Sequence, residues 1–86
     1  MSETNSEPRP APRFLSAGDA ALVVEFGNAV DPAINHRVMR LGEAARAADL
    51  PGLVDLVPTL RSLMVHYDPT VTSRRAVEER LRDLMS

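Results

Sequence analysis

The sequence predicts an α+β domain of element order ββαββα: a four-stranded sheet with two helices on one face. Three observations carry this. Two apolar segments, 13–26 and 53–67, follow the period of a strand and are each broken once by turn residues. Each is followed by a helical stripe, Ile34 to Ala48 and then Val77 to Leu84. Helix-entry chemistry, Asp31-Pro32 and Thr72-Ser73, stands just ahead of both stripes.

Taken in order, residues 1–12 hold three prolines, two glutamates and small polar residues, a composition that cannot offset the entropy of ordering. They are expected to form a disordered tail, with the folded domain spanning 13–86. Arg13 to Leu15 is a short strand, and Ser16-Ala17-Gly18-Asp19 is a turn. Ala20 to Phe26 alternates, placing Leu22, Val24 and Phe26 on one face and Val23 and Glu25 on the other, before Gly27-Asn28 ends the strand. Asp31 caps a helix with Pro32 at its first position, and Ile34, Val38, Leu41, Ala45 and Ala48 form its stripe. Gly42 costs that helix about 1 kcal/mol relative to Ala and allows close approach to the sheet. Asp49-Leu50-Pro51-Gly52 stops it.

Val54 to Leu60 and Leu63 to Tyr67 are the second strand pair, meeting at Arg61-Ser62. Leu63, Val65 and Tyr67 share a face, with Met64 and His66 opposite. Pro58 cannot donate to a ladder, so its strand lies at an edge there or carries a bulge. The final helix presents Val77, Leu81 and Leu84, with Glu78 and Arg82 paired at i, i+4 on its exposed side. The expected core is Phe14, Leu22, Val24, Phe26, Ile34, Val38, Leu41, Ala45, Val54, Leu56, Leu63, Val65, Val77, Leu81 and Leu84.

Composition limits the function. The chain is 44% hydrophobic but has two Phe, one Tyr, no Trp and no Cys, so a small aliphatic core must hold without disulfide or thiolate-metal support. Net charge is −2 and all ten basic residues are Arg, which gives no electrostatic footprint for nucleic acid. No apolar run approaches the roughly 18 residues of a membrane span, and the N-terminus is polar and acidic, not a secretory signal. A cytoplasmic protein is expected.

Candidate chemistry is sparse. His36 and His66 are thirty residues apart with no further ligand at i+3 or i+4, so they read as solvated or sheet-face residues and no metal is expected. Asp31 and Asp68 each precede a proline and read as helix-entry and turn residues rather than as an acid–base pair. Ser16 to Asp19 has too few glycines to cradle phosphate, and Ser62 lacks a nucleophile-elbow context. No catalytic, cofactor-binding or metal residue is assigned. With both helices on one face, the other sheet face stays open, and either Val23 or Leu22, and either Met64 or Val65, must point there. An open, partly apolar face marks an interface, with Arg61, His66 and Met64 as the candidate contact residues.

Four segments, R-F-L-S-A-G-D (13–19), A-L-V-V-E-F-G (21–27), D-P-A-I-N (31–35) and L-R-S-L-M-V-H-Y-D-P (60–69), carry a family resemblance in order and spacing. The chain resembles the N-terminal domain of a family that includes the B-type component of the bacterial ATP-dependent 5-oxoprolinase, allophanate hydrolase subunit 1 and an inhibitor of a sporulation histidine kinase. The family often has an aromatic just before the Arg-Ser pair, where this chain has Thr59-Leu60. The resemblance implies a ferredoxin-like variant of the ββαββα fold, followed in the family by a C-terminal cyclophilin-like barrel domain absent from this chain. It implies a parent assembly that uses ATP to open 5-oxoproline to glutamate, with the companion A-type component and the C-terminal domain as partners, and no cofactor held by this chain. A histidine-kinase inhibitor module and a stand-alone protein-interaction domain are the alternatives, and a homodimer through the open face is a further partner arrangement. The family's substrate-handling residues belong to the barrel and to the A-type component, so none carries over, and this chain by itself is expected to catalyse nothing.

Overall fold

β1 (Arg13–Ser16) and β2 (Ala21–Glu25) form the first hairpin of the computed structural model, which describes residues 12–27 and 31–85. Apart from Pro12, the predicted tail lies outside the described residues. α1 (Pro32–Ala48) follows, then β3 (Leu53–Pro58), β4 (Ser62–Tyr67) and α2 (Arg74–Met85). The four strands make one antiparallel sheet in the order β1-β2-β4-β3. The ββαββα order is as predicted, and β3, the strand with the proline, is an edge.

Each helix is set by its ends. The Asp31 carboxylate accepts the Ala33 N–H at 2.8 Å while Pro32 opens the helix without an N–H to satisfy. At the far end Asp49 adopts the left-handed conformation (φ 51°) and its N–H reaches the Arg46 carbonyl. Asp tolerates that geometry because its short polar side chain can bond locally. α2 is capped by Ser73, whose hydroxyl accepts the Ala76 N–H at 3.1 Å. Asp68 shapes the turn before it, its carboxylate accepting both the hydroxyl (2.6 Å) and the N–H (2.9 Å) of Thr70. Those two bonds hold the Asp68 carboxyl below the usual carboxylate range.

Both helices pack on the face formed by Leu22, Val24 and Phe26 of the first hairpin and Leu56, Leu63, Val65 and Tyr67 of the second. α1 contributes Val38, Leu41 and Ala45, and α2 contributes Val77 and Leu81. Phe14, Ile34, Leu53 and Leu84 lie half-buried around this centre. Gly42 lies on the side of α1 that faces β4: a Cβ there would meet Leu63 Cδ1 at 3.6 Å.

Val54 breaks the expected core, at 66% exposed. The β3–β4 register slips between Leu53 and Asp55, so two residues of β3 are spent where β4 spends one. A bulge of this kind resets the alternation. Leu53 then packs on the core, Val54 is extruded, and Leu56 returns to the core face. Leu50, which read as part of the helix stop, is buried at 4%.

The β3–β4 turn is fastened to the rest of the domain. The Thr59 N–H donates to the Ser62 carbonyl at 2.8 Å, and the Thr59 hydroxyl accepts the Ser62 N–H at 3.0 Å. From outside the turn, the Phe26 N–H donates to the Arg61 carbonyl at 2.8 Å and the Asn35 amide donates to the Thr59 carbonyl at 3.2 Å.

Candidate functional site: the open sheet face

Because Leu22, Val24, Leu63, Val65 and Leu56 face the helices, the residues between them face away. The register aligns those residues into rows across the sheet. Leu15 pairs with Val23, Val23 with Met64, and Met64 with Val57, so one apolar side chain from each strand stands in a single central row. At the usual inter-strand spacing this row is about 14 Å long. Its outer members are exposed, Leu15 at 36% and Val57 at 41%, while Val23 and Met64 are half-buried.

Polar rows flank it on both sides. One is Arg13, Glu25 and Ser62, in which Arg13 reaches Glu25 at 3.4 Å. An exposed pair of this kind contributes about 0–1 kcal/mol, so it marks a solvated rim rather than a structural clamp. The other is polar at His66 and Asp55 only, with Ala21 buried beside them at 5% exposed. An apolar centre with a polar rim is the anatomy of a protein interface.

The structure brings two of the three predicted contact residues together here. Met64 stands in the central row and His66 beside it in the flanking row. Arg61 does not join them: it lies in the exposed β3–β4 turn. Leu15, Val23 and Val57 complete the row. Alternation alone gives the phase of each strand, but only pairing register shows that these four side chains are neighbours.

The helix side carries a second concave feature. A cleft of about 370 Å³ opens between α1 and the last turn of α2. Arg37 and Arg40 line it from α1, and the Arg37 guanidinium lies over the Phe26 ring, 4.8 Å from its centroid. His36 is exposed on α1, and among the described residues no group of three or more His, Cys, Asp or Glu is placed to hold a metal ion.

The sequence model of the family described as carboxyltransferase domain, subdomain C and D, matches residues 12–86. The chain belongs to this family. Among solved structures, the conserved uncharacterized protein PH0987 from Pyrococcus horikoshii is 38% identical with a TM-score of 0.78, over 84% of this chain and 33% of that one. The urea amidolyase of K. lactis is 25% identical with a TM-score of 0.83, over 93% of this chain and 5% of that one. The N-terminal domain of the histidine kinase inhibitor KipI from Bacillus subtilis is 25% identical with a TM-score of 0.61, over 87% of this chain and 90% of that one. No match is found among curated proteins. The chain therefore spans about a third of the first of these structures and a small part of the second, and the subdomain recurs as a portion of longer polypeptides.

Proposed function

We propose that this chain is the N-terminal structural and interaction domain of a protein of the allophanate hydrolase subunit 1 type, equivalent to the B-type component of a 5-oxoprolinase. In this reading it supports ATP-dependent opening of 5-oxoproline to glutamate together with a companion A-type component. Its contribution is architectural: it orients a C-terminal catalytic domain against that companion in the cytoplasm. No helix among the described residues is long and apolar enough to cross a membrane.

The observation that carries the reading is the open-face row of Leu15, Val23, Met64 and Val57. Fully burying such a side chain is worth about 1.5–3 kcal/mol. These four are already partly covered by their neighbours, so docking a partner on the row gains roughly 2–4 kcal/mol in all. Free association costs about 4–15 kcal/mol in lost translational and rotational freedom. The row alone therefore does not hold a freely diffusing partner tightly. It suits a partner already tethered nearby, such as a following domain of the same polypeptide, for which that cost is small. The same comparison makes a homodimer through this face a weak, high-concentration species.

The test compares three preparations for ATP-dependent 5-oxoproline hydrolysis, each supplied with the A-type component: this chain, the full-length protein, and the full-length protein bearing Met64→Asp. Turnover is expected from the second, none from the first, and a reduced rate from the third. Turnover by this chain with the A-type component alone would sink the reading. A second reading, the N-terminal module of a histidine-kinase inhibitor, is supported by the likeness to the N-terminal domain of KipI, at 25% identity and a TM-score of 0.61. Inhibition of kinase autophosphorylation by the full-length protein, with no 5-oxoproline turnover, would select it.

A further inference from the structure

Of the six large apolar side chains exposed among the described residues, five gather along one edge of the sheet. Val54 and Val57 lie on β3, and Leu60 lies in the turn that ends it. Val71 sits beside Gly52, just ahead of β3: a Cβ on that glycine would come 3.3 Å from Val71 Cβ. Met39 faces the same strand from α1, where it borders one recess with Leu56 and Pro58. Only Leu15 belongs to the β1 side.

The β1 side is finished by the chain's own polar groups. The Arg82 guanidinium lies over the Phe14 ring, 4.3 Å from its centroid, and Arg74 donates to the Phe14 carbonyl at 3.3 Å. Glu78 holds both guanidiniums, at 3.5 Å from Arg74 and 2.8 Å from Arg82. The β3 side presents hydrocarbon instead, and an apolar patch confined to one edge marks where another surface rests.

The recess between α1 and β3 limits what can rest there. Its floor is Gly42, its walls are Met39, Leu56, Pro58 and Leu63, and its volume is about 60 Å³. That is room for the tip of one aliphatic side chain, and far below the size of a small-molecule site. Glu43 and Arg46 border it with opposite charges, so it offers no net charge to draw an ion. Pro58 has no N–H to donate, so contact there is made by side chains rather than by an added strand. Val57 and Pro58 are consecutive and point to opposite faces of a strand that has no outer neighbour. A body resting on Val57 therefore reaches the recess by passing one strand's width, about 5 Å. A longer polypeptide of which this subdomain is one portion supplies such a body in cis.

We propose, on the basis of the open-face docking described above, that the neighbouring domain of the same polypeptide turns round the β3 edge and seats an aliphatic side chain in the Gly42 recess. The interface is then one continuous surface from Val23 and Met64 over Val57 to Met39, and the Arg74–Glu78–Arg82 side stays outside it.

The methionines report on this directly, since Met39 borders the recess and Met64 stands in the open-face row. Dilute hydrogen peroxide oxidises methionine to the sulfoxide at a rate that follows access, and peptide mass spectrometry reads each residue separately. In the isolated chain Met39, at 42% exposed, should oxidise faster than the half-buried Met64. In the full-length protein both should slow, Met39 by about fivefold or more, whatever the protein concentration. Gly42→Ala keeps the domain folded, because the added Cβ meets Leu63 Cδ1 at 3.6 Å, yet it takes up room in the recess. In the full-length protein it should restore most of the Met39 rate. Slowing of Met64 with Met39 unchanged would overturn the proposal and leave the open-face reading standing, whereas an unslowed Met64 would overturn both. Protection of Met39 that grows with protein concentration would give the recess to a second copy, and protection untouched by Gly42→Ala would remove the socket. Either result overturns the proposal.

Discussion

Gly42→Ala is expected to stabilise this domain, and the structure fixes both sign and size. Gly42 lies inside α1 on the side facing β4, with the nearest atom to an added Cβ being Leu63 Cδ1 at 3.6 Å. That is an ordinary van der Waals separation, so the methyl enters without displacing anything. Relieving a helix-interior glycine gains about 0.8–1 kcal/mol through backbone entropy. The new methyl also fills part of a shallow recess bordered by Met39, Leu56, Pro58 and Leu63, adding up to about 0.8 kcal/mol. A net gain of about 1–1.5 kcal/mol corresponds, in a domain this small, to a midpoint rise of roughly 4–10 °C. Urea unfolding followed by circular dichroism should show a higher midpoint with an unchanged slope. Gly42→Leu is the control: its further carbons must push Leu63 aside, and overpacking of that kind costs about 1–3 kcal/mol. A lower midpoint for Gly42→Ala would mean that α1 seats too close to Leu63 to admit the methyl, and the expected gain would be wrong in sign.

Gly52→Ala should do the opposite, because Gly52 has φ +80° and an added Cβ would lie 2.6 Å from Thr72 Cγ2. A loss of about 1 kcal/mol or more in the same unfolding assay is the expected outcome. Phe26→Ala should lose about 3–5 kcal/mol, which is most of the stability of a small domain, and an unchanged thermal midpoint would place that ring outside the core. Asp68 has a carboxyl held below its usual range by Thr70, so its folded-state pKa lies under its unfolded value. Its contribution is present above the unfolded pKa and disappears as the pH falls through the folded one. Thr70→Val should therefore raise the Asp68 midpoint in an NMR titration and flatten the acid side of the stability profile. Met64→Asp should lower the thermal midpoint of the isolated chain by less than Phe26→Ala does, since Met64 is half-buried on the face away from the helices, while weakening docking of the neighbouring domain.

The elements were legible because their signals are local. Asp31-Pro32 and Ser73 start helices wherever they stand before an apolar stripe, and Leu63, Val65 and Tyr67 alternate without interruption. Pro58 announced an edge by lacking a donor, and β3 is one. Val54 was lost for the converse reason. A bulge is a relation between two strands, and Val54 and Leu56 read as same-face neighbours until the slip against β4 is known. The open-face row is of the same kind: Met64 and His66 were legible from phase within β4, whereas Leu15, Val23 and Val57 become their neighbours only through pairing. The helix-side cleft depends on where α2 ends against α1, which no local spacing encodes.

The bulge has a further consequence for the way this sheet meets other molecules. An edge strand offers unpaired backbone groups on which another chain can extend the sheet, and repeated extension leads to fibres. β3 is blunted at both ends, by the extruded Val54 at its start and by Pro58 at its finish, which leaves a short regular stretch between them. The opposite edge, β1, is only four residues long. Lateral growth is thus discouraged on both sides, and contact is directed to the broad surface, where side chains rather than main-chain bonds choose the partner. A domain whose outer sheet face carries an apolar row and whose edges are blunted in this way can be carried in longer polypeptides without recruiting copies of itself into an endless sheet.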